Sequence, residues 1–404
     1  MAPRETQFLR TWIIVFIGSF VFIALFNALI DPYIMLGMPR LQGFNARKPA
    51  ADTKQRLMKA YDVFRTQPKT LILGSSRAAI GLDATSAAWT ERDRPVYNLA
   101  LGAGSPYMAY RYLQHVLLRQ SVSTVVLGLE LEYFLRNFHA QDYEFESHLL
   151  VAQDGSRRSS TWMRLRDVGH GLTGLNSLSD SIVTMTENWL KNSSDMRSGN
   201  WSWNALSVTR WNAYAQFTLS ELQVAPLYDR HELDTRAFET LSKLLDLCES
   251  HQIRVIIFIS PSHADLMEIM HLSGSWLAFE QWMRELTTVL SRYTQAERRN
   301  SPVLWDFTGY LPYTEESIAK QPRELTWFLN QDHYSKELGD LIIRRLRGVD
   351  GSQFGQMLTL ENVESHIRDL DRQRQSYLEE YPSDVVRISK LYELATGHDL
   401  LPLP

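Results

Sequence analysis

Two short polar clusters carry residue types suited to acyl transfer. Ser75, Ser76 and Arg77 directly follow the apolar run TLILG, and Asn330, Gln331, Asp332 and His333 directly precede Tyr334 and Ser335. A serine hydroxyl is unreactive until a base takes its proton, and the oxyanion formed on attack needs hydrogen-bond donors around it. Ser76 supplies such a hydroxyl at the exit of a buried strand, and His333, just before the helix-capping candidate Ser335, supplies a base. Gly102 and Gly104, in LGAGSP, can bring backbone N–H groups close with no Cβ in the way. From spacing alone, the same residues also suit a turn capped by Ser75 and Ser76, with His333 bonded to backbone.

The elements that must position these groups alternate along the chain. Five apolar segments rich in β-branched residues, Thr70–Gly74, Val96–Leu101, Thr124–Leu131, Ile253–Ser260 and Val303–Phe307, read as strands buried on both faces. Helix patterns lie between them, opened by Ser105–Pro106, by Asp234, by Trp276 and by Ser335. Strand and helix in this rhythm predict an α/β fold with a five-stranded parallel sheet covered on both sides, a three-layer α/β/α arrangement. Ligands of such sheets bind outside the carboxyl ends of the strands. That edge would receive Ser76 and Arg77, Gly102 and Gly104, Glu130, His263 and Asp306.

At its N-terminus the chain reads WIIVFIGSFVFIALFNALI from Trp12 to Ile30, without a charge. At about 1.5 Å per residue this run can cross a hydrocarbon core about 30 Å thick. A cleaved signal peptide would have a shorter apolar region ending in small residues, whereas Asp31, Pro32 and Tyr33 follow here. Arg4 and Arg10 before the run, against Asp31 after it, predict a cytoplasmic N-terminus and an external remainder.

The expected organisation is a tail over 1–10, a membrane helix over 11–31, a linker over 32–67, the α/β domain over 68–350 with an insertion over 134–231, and a helical extension over 351–404. The insertion holds Trp162, Trp189, Trp201, Trp203 and Trp211, indoles that either fix a subdomain or stack on sugars.

Composition removes several classes. A net charge of −4 leaves no basic footprint for nucleic acid. Cys248 is the only cysteine, so neither an internal disulfide nor a multi-cysteine metal site can form, and the histidines lack ligand spacing such as H-x-x-x-H. The GAG after the second strand begins like a dinucleotide loop, but Tyr107 stands where the third glycine belongs.

At these residues the sequence resembles the SGNH/GDSL superfamily of serine esterases and acyltransferases, especially the membrane-anchored bacterial members linked to exopolysaccharide and cell-wall acylation. LILGSSRAAIGLD resembles the first block, whose nucleophile falls at Ser76. YNLALGAGSP resembles the second, whose glycine amide joins the oxyanion hole, at Gly102 or Gly104. The last block aligns His333 with the base.

Two departures stand out. Asn330 occupies the position where the family has Asp, leaving Asn330, Asp332 or Asp306 to support the histidine. Glu130 replaces an oxyanion-binding Asn, and an ionised carboxylate cannot donate.

The resemblance implies a flavodoxin-like sheet and a single-pass protein of the bacterial inner membrane, facing the periplasm or exterior. It implies an O-acyl, most simply O-acetyl, transferase or esterase acting on a surface or exported polysaccharide. No cofactor or metal is expected, Arg77 and His263 are candidate substrate contacts, and a multi-spanning membrane acyltransferase is the expected partner. The alternative is a catalytically silent scaffold or carbohydrate-binding component of a polysaccharide synthesis or export complex.

Overall fold

The structure, a computed structural model, describes residues 3–136, 144–190, 213–229, 231–294, 300–318, 325–349 and 354–397. The chain opens on the long helix α1 (Pro3–Ile30), followed by α2 (Pro49–Thr53) and α3 (Gln55–Thr66). Alternation then begins with β1 (Thr70–Leu73), α4 (Ser76–Gly81), β2 (Val96–Asn98), α5 (Pro106–Leu117) and β3 (Thr124–Leu129). The helices α6 (Ser160–Thr173), α7 (Leu175–Leu190) and α8 (Ala213–Val224) interrupt it. It resumes with α9 (Thr235–Ser250), β4 (Arg254–Ile259), α10 (Ala264–Ser273), α11 (Trp276–Ser291), β5 (Val303–Asp306) and α12 (Lys336–Arg347). The short β6 (Gln356–Leu358), α13 (Val363–Glu380) and α14 (Pro382–Thr396) complete the described chain.

All five apolar segments form strands, because continuous apolarity suits positions that are covered from both sides. The sheet nevertheless has six strands, in the order β2-β1-β3-β4-β5-β6, and the expected count of five is corrected. β1 to β5 run parallel, with Leu71 beside Val125, Val126 beside Ile256 and Ile257 beside Leu304. β6 pairs antiparallel with β5. It lacked a sequence signal because it is three residues long and exposes two of them. The order 2-1-3-4-5 is that of flavodoxin-like doubly wound sheets, and it puts the topological switch point between β1 and β3.

The chain divides into two units. One comprises the residues up to Arg65 together with α6 and α7; the other starts at Thr66 and holds the sheet, α8 and the C-terminal helices. The inserted region is therefore shared between both. Residues 32–67, expected as a linker, contain α2 and α3, and the Asp31 carboxylate accepts N–H bonds from Met35, Leu36, Gly37 and Met38 at 2.7–3.1 Å. Trp162 and Trp189 are exposed, so neither fixes a core, while Trp201, Trp203 and Trp211 lie outside the described residues. α1 is long and apolar enough to cross a membrane, and only 11% of its most apolar window is buried, unlike a core helix.

In the sheet unit, the backbones of α4 and α12 approach closely at Gly81 and Gly339. A Cβ on Gly339 of α12 would overlap the carbonyl oxygen of Gly81, and one on Gly81 would overlap the Tyr334 ring. Asn98, at the end of β2, donates its side-chain amide to the carbonyls of Ala78 (3.1 Å), Ala79 (3.2 Å) and Leu82 (2.7 Å), fixing the C-terminal end of α4. Lys336 bonds Asp83 at 3.0 Å, and Ser86 bonds Asp340 at 2.6 Å, across the same junction.

Glycine within a helix ordinarily costs up to about 1 kcal/mol relative to alanine. Here the overlap decides the sign. Gly339→Ala is expected to destabilise the protein by about 1–3 kcal/mol, the range for overpacking, as measured by chemical denaturation. A gain in stability would show that the two helices do not touch at this point.

Candidate active site

Ser76 owes its position to a sharp exit from β1. Gly74 adopts φ +138°, in the region that favours glycine, and a Cβ there would stand 2.9 Å from the Gly128 carbonyl oxygen on β3. Ser75 then caps α4, its hydroxyl accepting the Arg77 N–H at 3.2 Å, so that Ser76 becomes the first helical residue. It is half-buried, whereas its neighbours Ser75 and Arg77 are buried.

His333 arrives from the other end of the domain on a tight turn closed by Leu329 N–H to His333 O and Ser335 N–H to Trp327 O, both 2.8 Å. Ser335 caps α12, accepting Leu338 N–H at 3.3 Å. His333 Nε2 lies 2.8 Å from Ser76 Oγ. On the other side of the ring, Nδ1 lies 2.9 Å from Asp332 Oδ1 and 3.0 Å from Asn330 Oδ1. With two acceptors at Nδ1, the network assigns the proton to Nδ1 and leaves the Nε2 lone pair facing the hydroxyl.

The turn explains how an adjacent aspartate reaches the ring. Asn330 Oδ1 also accepts the backbone N–H of His333 (2.7 Å) and of Asp332 (3.3 Å), folding the segment onto itself. The Asn330 and Gln331 side-chain amides both donate to Ser220 Oγ on α8, at 3.1 and 2.8 Å. Burial alone would raise the Asp332 carboxyl, but the charge and hydrogen bond of His333, with the Arg77 guanidinium, hold it down at about 2. Asp332 and Asn330 therefore both contact the ring, and Asp306 does not.

Beneath the serine lies a buried ionic set. Arg77 donates to Glu132 Oε1 at 2.7 Å and to Ser262 Oγ at 3.4 Å, and the Tyr228 hydroxyl donates to Glu132 Oε2 at 3.1 Å. Arg77 is thus spent on a structural ion pair. Glu130 accepts from Ser260 Oγ at 2.7 Å. Burial pushes its carboxyl up to about 7, the Arg77 charge opposing that and the Glu132 charge adding to it.

Several expected contacts are placed differently. Gly104 donates its N–H to Leu101 O at 2.9 Å, and a Cβ on it would overlap the Gly74 carbonyl. It is a packing glycine rather than an oxyanion donor; Gly102 stands at the head of the same turn. His263 caps α10, its Nδ1 accepting Asp265 N–H at 3.1 Å while Nε2 donates to Glu316 O at 2.9 Å, so no ring nitrogen is left for a substrate. Asp306 is buried, accepts Thr308 N–H at 2.9 Å and pairs with His366 Nε2 on α13 at 2.6 Å. Both are corrections to their reading as substrate or histidine contacts.

No motif in the sequence marks Ser220, Glu132, Tyr228 or His366. Among the described residues, no group of three or more His, Cys, Asp or Glu is placed to hold a metal ion. No protein-family model matches this chain, and no curated protein matches it either.

Removing one partner of a buried ion pair leaves the other charge uncompensated. Glu132→Gln is expected to cost about 3–5 kcal/mol in urea unfolding, and a loss under about 1 kcal/mol would mean that Arg77 is solvated.

Glu130 yields a pH signature. Its folded value lies above the usual carboxylate range, so between about 4.3 and about 7 the native state holds more protons than the unfolded chain and stability falls as pH rises. Glu130→Gln should therefore gain stability over wild type on going from pH 5 to pH 8. Parallel melting curves for the two proteins would contradict this.

Proposed function

We propose that this protein is a membrane-anchored serine acyl-transfer enzyme of the SGNH/GDSL type. It moves or removes an ester-linked acyl group, most simply acetyl, on a surface or exported polysaccharide. The observation that carries the reading is the contact of Ser76 Oγ with His333 Nε2 at 2.8 Å, at the sheet's switch point, with Asp332 on the far nitrogen of the ring. Substrate class, the bacterial inner membrane and an external catalytic domain follow from the resemblance and from the charges flanking α1.

Ser76 Oγ attacks the acyl carbonyl as its proton passes to His333 Nε2. The Asp332 carboxylate stabilises the imidazolium so formed, and Asn330 keeps the ring in the tautomer that accepts at Nε2. The oxyanion gathers beside the Ser76 N–H, which as a first-turn amide has no acceptor within its own helix. The ester C–O bond then breaks, and the leaving alkoxide takes the proton from Nε2, giving an acyl-Ser76. In the second half a sugar hydroxyl or water gives its proton to His333 and attacks the acyl carbon. The new ester or free acid leaves, and the Ser76 hydroxyl is restored. For transfer, a multi-spanning membrane acyltransferase supplying acyl groups from the other side is the fitting partner.

A fluorophosphonate probe applied to the purified protein, followed by peptide mass spectrometry, tests this directly. Labelling is expected at Ser76 and should vanish in Ser76→Ala. In Asp332→Asn, labelling and hydrolysis of a chromogenic acetyl ester should slow by about 10²–10⁴-fold, the scale on which a triad loses its charged member. A folded protein that takes no label would instead be a silent scaffold.

A further inference from the structure

α7 is turned inside out. Its buried residues, Ser177, Ser181, Thr184 and Asn188, are all polar and recur at helical spacing, so they form one stripe along the helix. The opposite face exposes Leu175, Ile182, Val183, Trp189 and Leu190, with Trp189 80% accessible, alongside the uncharged Asn176, Ser179 and Thr186, the last bonding its own helix backbone. A helix that packs in water places these classes the other way round. α6 is mixed: it exposes Trp162 and Leu165 beside Arg164 and Arg166, and buries Met163 together with Asp167.

The polar stripe is spent on α1 and the segment after it. Ser181 Oγ donates to Asn27 Oδ1, and Asn27 Nδ2 donates to Leu172 O, both at 2.8 Å. Asn188 exchanges two 2.8 Å bonds with the backbone of Arg47. Short polar side chains joining helices in this way are the pattern of packing inside a membrane, where water is not there to compete.

Depth follows from length. The uncharged run from Trp12 to Ile30 has 19 residues. At helical rise that is about 28 Å, against a hydrocarbon core of about 30 Å. If α1 crosses through this uncharged run, the ends of the run reach the two edges of the hydrocarbon core. Asn27, three residues from its end, then lies at membrane depth, as do Leu172 and Ser181, which bond to it.

Resting on the anchor reading above, we infer that the α6–α7 hairpin is itself embedded in the leaflet at the C-terminal end of α1. Its polar stripe faces protein and its apolar face meets acyl chains. α7 has 16 residues and reaches about 24 Å, too short to cross, so it lies within one leaflet and its interface. Trp162 and Trp189 suit the headgroup boundary, where indoles concentrate. Lipid is the occupant rather than a second protein because α7 packs on the membrane-crossing helix and none of its exposed residues is charged, while the exposed Arg164 and Arg166 of α6, next to Trp162, suit the headgroup boundary.

The test uses the full chain in nanodiscs with an environment-sensitive fluorophore on single cysteines in a Cys248→Ala background. Ile182→Cys and Trp189→Cys report the hairpin, Phe22→Cys reports α1, and Glu364→Cys provides an exposed reference. Spin-labelled lipid is expected to quench the dyes at 182, 189 and 22, with blue-shifted emission, and to leave 364 unaffected. Quenching at 22, with 182 and 189 open to aqueous iodide, would overturn the hairpin proposal and leave the anchor standing. Iodide access at all four sites would remove both. Shielding of 182 and 189 from lipid and iodide alike would overturn it in favour of a protein partner.

Discussion

The 2.8 Å contact between Ser76 and His333 depends on the distance between two helices, and that distance is set by the side chains missing from their junction. Packed helix axes ordinarily stand about 8–10 Å apart, according to the side chains at the contact. Gly81 presents bare backbone to the Tyr334 ring and to Gly339, so α12 approaches α4 until backbone meets backbone. Ser76 begins one of these helices, and His333 lies three residues before the other. A hydrogen bond weakens within a few tenths of an ångström, whereas a single methylene at the junction would move the helices by more. Asn98, Asp83 and Asp340 then hold the ends of the same joint from the side.

The charges around the dyad are arranged so that one of them acts on the imidazole. Arg77 is matched by Glu132 at 2.7 Å, and burial favours the protonated form of Glu130. Asp332 remains ionised at neutral pH and sits against Nδ1. Asn330 has a different task. Its oxygen gathers the N–H groups of Asp332 and His333 into the turn that aims the carboxylate, and its amide is tied to Ser220. On the proposed mechanism, orientation and charge, which one aspartate combines in the usual triad, are divided between Asn330 and Asp332.

The parts legible in the sequence were those with a local physical signature. Strands covered on both faces must be continuously apolar, and each of the five such segments contains a strand. Ser105, Asp234 and Ser335 read as helix caps because capping needs a side-chain oxygen at one position, and each accepts an N–H there. Ser76 and His333 stood at element ends and could be named. What stayed hidden required knowledge of partners. Glu132 looks like any surface acid until Arg77 is buried beside it, and Ser220 is one serine in an ordinary helix pattern. Asp306 and His263 show the complementary limit: strand ends attract ligands, but they also attract caps, and nothing local separates the two roles.

α7 shows the deepest limit of pattern reading. Periodicity reports that a helix has two faces, but it does not report which face looks inward, because that depends on the solvent. In water, Leu175, Ile182 and Trp189 would be assigned to the core and Ser177, Ser181 and Asn188 to the surface. The structure reverses every one of these positions. The reversal becomes intelligible once the apolar run of α1 is treated as a length as well as a composition. On the proposed membrane reading, a run just long enough to cross leaves no aqueous margin, so whatever hydrogen-bonds to its last turn must tolerate the same medium.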